Sequence, residues 1–212
     1  MSVRRLPVYL LLDCSSSMTG QPIEQVRQGL RALLDDLSTE PMAIETVYLS
    51  VITFHSTAQQ LIPLTELMQF KEPHIQAHGA TALGAALRLL QDCLETEVRK
   101  NTETQKGDWK PLVFLMTDGM PTDAWETVAD DIKTQQIAHL IAFAAGTGAD
   151  VDNLKRITDI VLKSDELSPG ALKAFFQWMS QSILRTGKSV QVMAQEMQVD
   201  LPPPPAQIQI VP

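Results

Sequence analysis

Cysteine is scarce in this chain, with Cys14 and Cys93 the only two in 212 residues. Neither has a C-x-x-C partner, which leaves thiol redox catalysis and a structural zinc site without support. Cys14 falls in a loop and Cys93 among helix-patterned residues, and the N-terminus carries no export signal, so reduced thiols are expected. Long apolar runs are also missing. No stretch approaches the roughly 20 apolar residues that a membrane helix needs. The run Val8–Leu12 is too short for a signal-peptide core and ends in Asp13. Positive charge is in deficit: 17 Lys and Arg face 25 Asp and Glu, a formal net charge of −8. No basic stripe offsets it, which argues against a nucleic-acid partner. These absences together predict a cytoplasmic protein with no membrane contact. No internal repeat is present, and the loop after the first strand lacks the G-x-G-x-x-G of a dinucleotide site.

What is present is an alternation of strand and helix periods. Val8–Leu12 is a continuous apolar run, as expected for a central strand covered on both faces. Pro22 opens a helical stripe of Ile23, Val26, Leu30, Leu33 and Leu37. Strands are predicted at 47–54 and 58–64, joined as a hairpin by His55-Ser56-Thr57. A helix from Thr81 carries Leu83, Leu87, Leu90 and Leu94, and a polar stretch from Glu95 to Lys110 leads into a strand at 112–116. Asp123 and Glu126 are spaced as a capping box for a helix with Trp125, Val128 and Ile132. A fifth strand at 140–144, a short helix around 151–157, a short sixth strand at 160–162 and a last helix capped by Ser168-Pro169 complete the order. This predicts an α/β fold with a doubly wound, mainly parallel six-stranded sheet and helices on both faces. From about Gly187 the pattern weakens, so residues 1–186 are assigned to the domain and 187–212 to a C-terminal extension. Its Pro202–Pro205 run cannot be an interior strand or helix; a solvated polyproline II tail is expected, with partner docking as the alternative.

Sheets of this kind gather ligands beyond the carboxyl ends of their strands. Asp13-Cys14-Ser15-Ser16-Ser17 lies at such an end and sets a carboxylate and two hydroxyls on alternate positions. The cluster supplies hard oxygen ligands and little negative charge, which suits Mg²⁺ better than zinc or copper. Thr81 opens a helix, and Thr117-Asp118-Gly119 follows a strand directly. Each has a blander reading, as turn or cap. His74 and His78 have a helical zinc spacing, yet Pro73 and Gly79 around them argue for a loop; His78 is near enough to Thr81 to sit on the rim of the site.

A strand-end D-x-S-x-S, a helix-opening Thr and a strand-end T-D-G are the three parts of a metal-ion-dependent adhesion site, and here the chain resembles the von Willebrand factor A (VWA) domain family. The resemblance implies strand order 3-2-1-4-5-6 with strand 3 antiparallel. It implies Ser15 and Ser17 as direct metal ligands, Thr81 as a direct or water-mediated one, and Asp13 and Asp118 acting through water. The ion would be Mg²⁺, with Mn²⁺ or Ca²⁺ able to replace it, and an open coordination position would accept an acidic group of a protein partner. The segments 4–11, 45–54 and 106–114 look like the stand-alone bacterial VWA proteins of the TerY type, a likeness running from about Arg4 to Gln198. That likeness implies a role in tellurium and chemical-stress resistance, beside a protein kinase and a PP2C-type phosphatase. The expectation is therefore an interaction module and not an enzyme. An adaptor for an AAA-type ATPase is the alternative. A metal-dependent phosphohydrolase is disfavoured, because Ser15 stands where a second carboxylate would hold metal more strongly and no general-base His is placed.

Overall fold

All eight residues of β1, Leu6–Asp13, are buried, and the alternation of the strand splits them between two cores. Leu6, Val8, Leu10 and Leu12 face one layer; Tyr9 and Leu11 face the other. This is why the segment reads as one unbroken apolar run. The computed structural model describes residues 4–193 and 201–211, so residues 1–3, 194–200 and 212 of the expected N-terminus and C-terminal extension lie outside the described residues.

The remaining elements follow in the order α1 Gln21–Ser38, α2 Pro41–Thr46, β2 Val47–Phe54, β3 Ala58–Glu66, α3 Leu83–Glu97, β4 Leu112–Thr117, α4 Glu126–Gln135, β5 His139–Ala145, α5 Val151–Ile157, β6 Ile160–Ser164, α6 Pro169–Met193 and β7 Gln209–Val211. The sheet order is β3-β2-β1-β4-β5-β6-β7. β2, β1, β4, β5 and β6 run parallel, and the two edge strands β3 and β7 are antiparallel to their neighbours. α1 and α6 cover the face of Leu10 and Phe114; α3, α4 and α5 cover the face of Tyr9 and Leu115. α1 and α6 approach closely at Gly29, where a Cβ would overlap the ring of Phe176. α2, a single short helix between α1 and β2, was not legible from periodicity.

The doubly wound fold and the order 3-2-1-4-5-6 are as expected. The sheet differs by a seventh strand, which comes from the C-terminal tail. The described part of that tail is docked, with exposed residues between its anchors: Pro202 is buried, and its carbonyl accepts a hydrogen bond from Trp178 Nε1 at 2.9 Å. Ile208 enters the α1/α6 core at 3% exposure, and β7 pairs with β6 from Val161 to Lys163. The prolines themselves form neither helix nor strand, as their missing N–H requires. α6 begins at the Ser168-Pro169 cap, with Ala171 N donating to Ser168 Oγ at 3.3 Å, and continues past residue 186 to Met193.

Asp123 provides a second difference. α4 starts at Glu126 with Trp125 in the cap position and no side-chain cap, so the Asp123/Glu126 box does not form. Asp123 caps the other helix instead: its Oδ1 accepts Gly84 N at 2.9 Å and its Oδ2 accepts Ala85 N at 2.8 Å. A capping box is local, and here a distant helix terminus out-competes it.

Candidate metal centre

β1 delivers Asp13 to the carboxyl edge of the sheet, where the backbone leaves the strand and Cys14 N donates to Phe54 O at 2.7 Å. The Asp13 carboxylate is fully buried. Its Oδ1 accepts Ser15 N at 2.8 Å, and its Oδ2 accepts the Thr117 hydroxyl at 2.5 Å. Residues Ser16–Met18 then turn as a short 3₁₀ helix, which folds Ser17 back towards Ser15. Their hydroxyl oxygens are 2.9 Å apart. Ser17 Oγ, on the exposed side of the turn, donates to Asp118 Oδ1 at 2.8 Å. Thus two segments about a hundred residues apart share one hydrogen-bonded cluster.

Thr81 joins them through backbone. Thr81 N donates to Thr122 Oγ1 at 3.1 Å, and Thr122 N returns a bond to Thr81 O at 2.9 Å. Ala82, not Thr81, occupies the cap position of α3, which leaves the Thr81 hydroxyl outside the capping role. That hydroxyl faces the Asp118 loop closely, since a Cβ on Gly119 would stand 3.3 Å from Thr81 Oγ1. The loop carrying Thr81 is also stitched to the first segment: His78 N donates to Cys14 O at 2.8 Å and Ser16 N to Gly79 O at 3.0 Å. All five residues expected at the site, Asp13, Ser15, Ser17, Thr81 and Asp118, therefore lie in mutually bonded segments at one edge.

The electrostatics are those of a site short of positive charge. Burial, the largest influence, pushes the Asp13 carboxyl above the usual range, against hydrogen bonds from Ser15 and Thr117, and the Asp118 charge adds to the rise. Burial likewise raises Asp118, opposed by its bond from Ser17. The hydrogen bonds these carboxylates accept come from hydroxyls and a backbone N–H; none comes from Lys or Arg. Two buried carboxylates without a cationic side chain, surrounded by hydroxyls, fit a hard divalent ion by donor chemistry. Among the described residues no group of three or more His, Cys, Asp and Glu could hold a metal, so the donor set is hydroxyl-rich. Cys14 takes no part; its thiol is buried in the α1/α6 core and pushed up to about 12 by desolvation.

Several contributors escaped the sequence reading. Thr117 was visible as part of T-D-G, but its bond back to Asp13 was not. Asp123 was expected as a cap, though of α4, and it instead joins Thr122 in locking the Asp118 loop onto Thr81 and α3. Gly148, after β5, presses on the Asp118 backbone, where a Cβ would stand 2.5 Å from the carbonyl oxygen. His78 does sit at this edge and packs against His55, the ring centroids 3.9 Å apart and the planes tilted by 39°. His74 is in irregular chain, with its Nε2 2.7 Å from Gln76 Nε2, so no helical zinc pair forms.

Comparison with known proteins agrees with this architecture. The profile of the von Willebrand factor type A domain matches residues 8–168. Inter alpha-trypsin inhibitor, heavy chain 4, of Mus musculus is 29% identical over 157 residues, covering 68% of this chain and 16% of that protein. Matrilin-3 of Gallus gallus is 28% identical over 159 residues, covering 72% and 34%. The chain thus spans about a third or less of these relatives. Among solved structures, the ArnB paralog VWA2 from Sulfolobus acidocaldarius shares the fold with a TM-score of 0.59 and 19% identity, over 82% of this chain and 46% of that one. Proximal thread matrix protein 1 from the mussel byssus, with a zinc-occupied MIDAS motif, gives 0.61 and 16%, over 85% and 48%. With three quarters of its length matched by the family profile and the strand order to accompany it, the chain belongs to the von Willebrand factor type A domain family.

Proposed function

We propose that this protein is a Mg²⁺-dependent interaction module that captures an acidic group of a protein partner. The observation that carries the reading is the pair of buried carboxylates, Asp13 and Asp118, joined through Ser15 and Ser17 at a surface edge with no Lys or Arg bonded to them. Ser15 and Ser17 are the direct ligands, Thr81 a conditional one, and Asp13 and Asp118 act through water. A cation held mainly by neutral hydroxyls stays electrophilic, so a partner carboxylate completes its coordination. Buried between two proteins, that bond outweighs an exposed ion pair, which contributes only about 0–1 kcal/mol. The ion supplies charge and an open position; the chain's own residues orient it and exclude competing ligands. Residues 1–186 carry the interaction site, and of the residues beyond them α6 to Met193 and residues 201–211 pack onto the same fold.

The chemistry is recognition, not catalysis, because a cation held mainly by neutral hydroxyls offers its open position to a partner carboxylate. Among the described residues no helix is long and apolar enough to cross a membrane, and the module works in the cytoplasm. The likeness of segments 4–11, 45–54 and 106–114 to bacterial TerY-type proteins supports a role in tellurium and chemical-stress resistance, with a kinase and a PP2C-type phosphatase as partners. Mg²⁺ titration by calorimetry tests the core of this reading. Wild type is expected to bind one ion, and Ser17→Ala and Asp118→Asn each to weaken binding at least about tenfold, the factor for 1.4 kcal/mol. Mn²⁺, Ca²⁺ and Zn²⁺ run in parallel assign the ion. Unchanged Mg²⁺ affinity in both variants, with circular dichroism intact, would falsify the site.

A further inference from the structure

Apart from Asp13 and Asp118 themselves, the segments that surround the metal centre carry no charged side chain. Five segments meet there: 14–20, 55–57, 78–82, 119–122 and 146–149. They are bonded or packed to one another through Ser16 N to Gly79 O, Ala82 N to His55 O, Thr122 N to Thr81 O, Ala80 N to Ser56 Oγ and the contact of Gly148 with Asp118. None of the five contains an Asp, Glu, Lys or Arg, although 20% of the chain is charged. Besides the site's own Asp13 and Asp118, the acids that adjoin them are already engaged. Asp123 caps α3 and pairs with Arg88, and Asp150 caps α5 through Asp152 N and Asn153 N. Of the two imidazoles there, His55 is held below the usual value by burial and by His78.

On this uncharged rim stands one large apolar side chain. Met120 is 59% exposed and two residues from Asp118. An exposed Met on a ligand-facing loop is a soft, adaptable contact for an apolar partner group.

Resting on the interaction reading above, we propose that the partner offers a single carboxylate set in an uncharged, apolar segment, and that Met120 is the specificity-determining residue for the flanking apolar side chain. The metal is then the only positive charge that these five segments offer a partner acid. A tract of acids finds no Lys or Arg in these segments for its remaining charges and is opposed by the chain's net charge of −8. A lone carboxylate between apolar residues suffers no such penalty, and it buries apolar area against Met120. Binding of this kind is set by short-range contacts and responds weakly to salt.

Three peptides, acetyl-Gly-X-Asp-X-Gly-amide with X as Leu, Ser or Glu, test this against the full chain saturated with Mg²⁺ at pH 7.5. Isotherms are recorded at 50 and 500 mM NaCl. The Leu peptide is expected to bind about tenfold more tightly than the Ser peptide at both salt concentrations, and the Glu peptide most weakly at 50 mM. Met120→Ser should abolish the Leu advantage while still binding the Ser peptide as wild type does. Equal binding of Leu and Ser peptides, or preference for the Glu peptide, overturns the proposal yet leaves Mg²⁺-dependent capture standing. Failure of all three at millimolar concentration, with Mg²⁺ bound, overturns both.

Discussion

Gly148 is where a single atom decides the metal loop. Its missing Cβ leaves room for the Asp118 carbonyl, and its backbone does not need the left-handed region, so space is the whole constraint. Gly148→Ala should push Asp118 away from Ser17 and weaken Mg²⁺ binding by about tenfold or more, read by calorimetry, while the urea midpoint moves little. His139 makes the second residue-scale case. Half-buried at the start of β5, it has its pKa lowered to about 4, first by desolvation and then by Lys110. The folded state keeps it neutral, whereas the unfolded chain takes up a proton below about 6.5. Stability is therefore fully present above that value and declines as pH falls towards about 4. Urea midpoints at pH 7 and 5 should show a steeper decline for wild type than for His139→Gln. That the five candidate-site residues lie in segments at one edge was legible because Asp13 and Asp118 follow strands directly, while their proposed roles came from the family resemblance. Thr122, Gly148 and His55 were not, because their roles are made by chain crossings that one-dimensional spacing does not encode.

At the scale of elements, the helix that follows Thr81 depends on a carboxylate from another loop. α3 has no side-chain cap of its own, and Asp123 satisfies two of its four orphan N–H groups. Asp123→Ala should cost about 0.5–2 kcal/mol as a lost cap, measured by urea denaturation. It should also lower Mg²⁺ affinity, because the same bonds join the Thr81 and Asp118 loops. Asn at this position should recover most of the stability. Central strands were easy to read from sequence since both faces are covered, as in β1 and β4, where every residue is buried. β7 was invisible for the opposite reason. It is three residues long, largely exposed on its own side chains and preceded by prolines, so neither alternation nor an apolar run marks it. The Asp123/Glu126 spacing misled because a capping box competes with every other N–H terminus within reach.

Taken whole, the molecule closes both edges of its sheet with antiparallel strands, one from a hairpin and one from the tail. The tail's anchor is Ile208, inserted among α1/α6 core residues, and Ile208→Ala should cost about 2–5 kcal/mol by leaving a cavity. Chemical denaturation checks it, and Mg²⁺ affinity should be unaffected because the metal edge is built from other segments. Trp178, whose indole holds the Pro202 carbonyl, offers an independent fluorescence report on the same docking. The position of this anchor bears on biogenesis. Residues 201–211 leave the ribosome after everything they pack against, so while the chain is being made β6 is an open edge and the socket for Ile208 is empty. Exposed strand edges and unfilled apolar surface are what nascent chains aggregate through and what chaperones grip. Synthesis at about 5–20 residues per second makes that interval brief, but it cannot end until residues 201–211 have emerged. Completion of the sheet therefore waits on residues 201–211, and a chain stopped upstream of Ile208 keeps both the open edge and the empty socket.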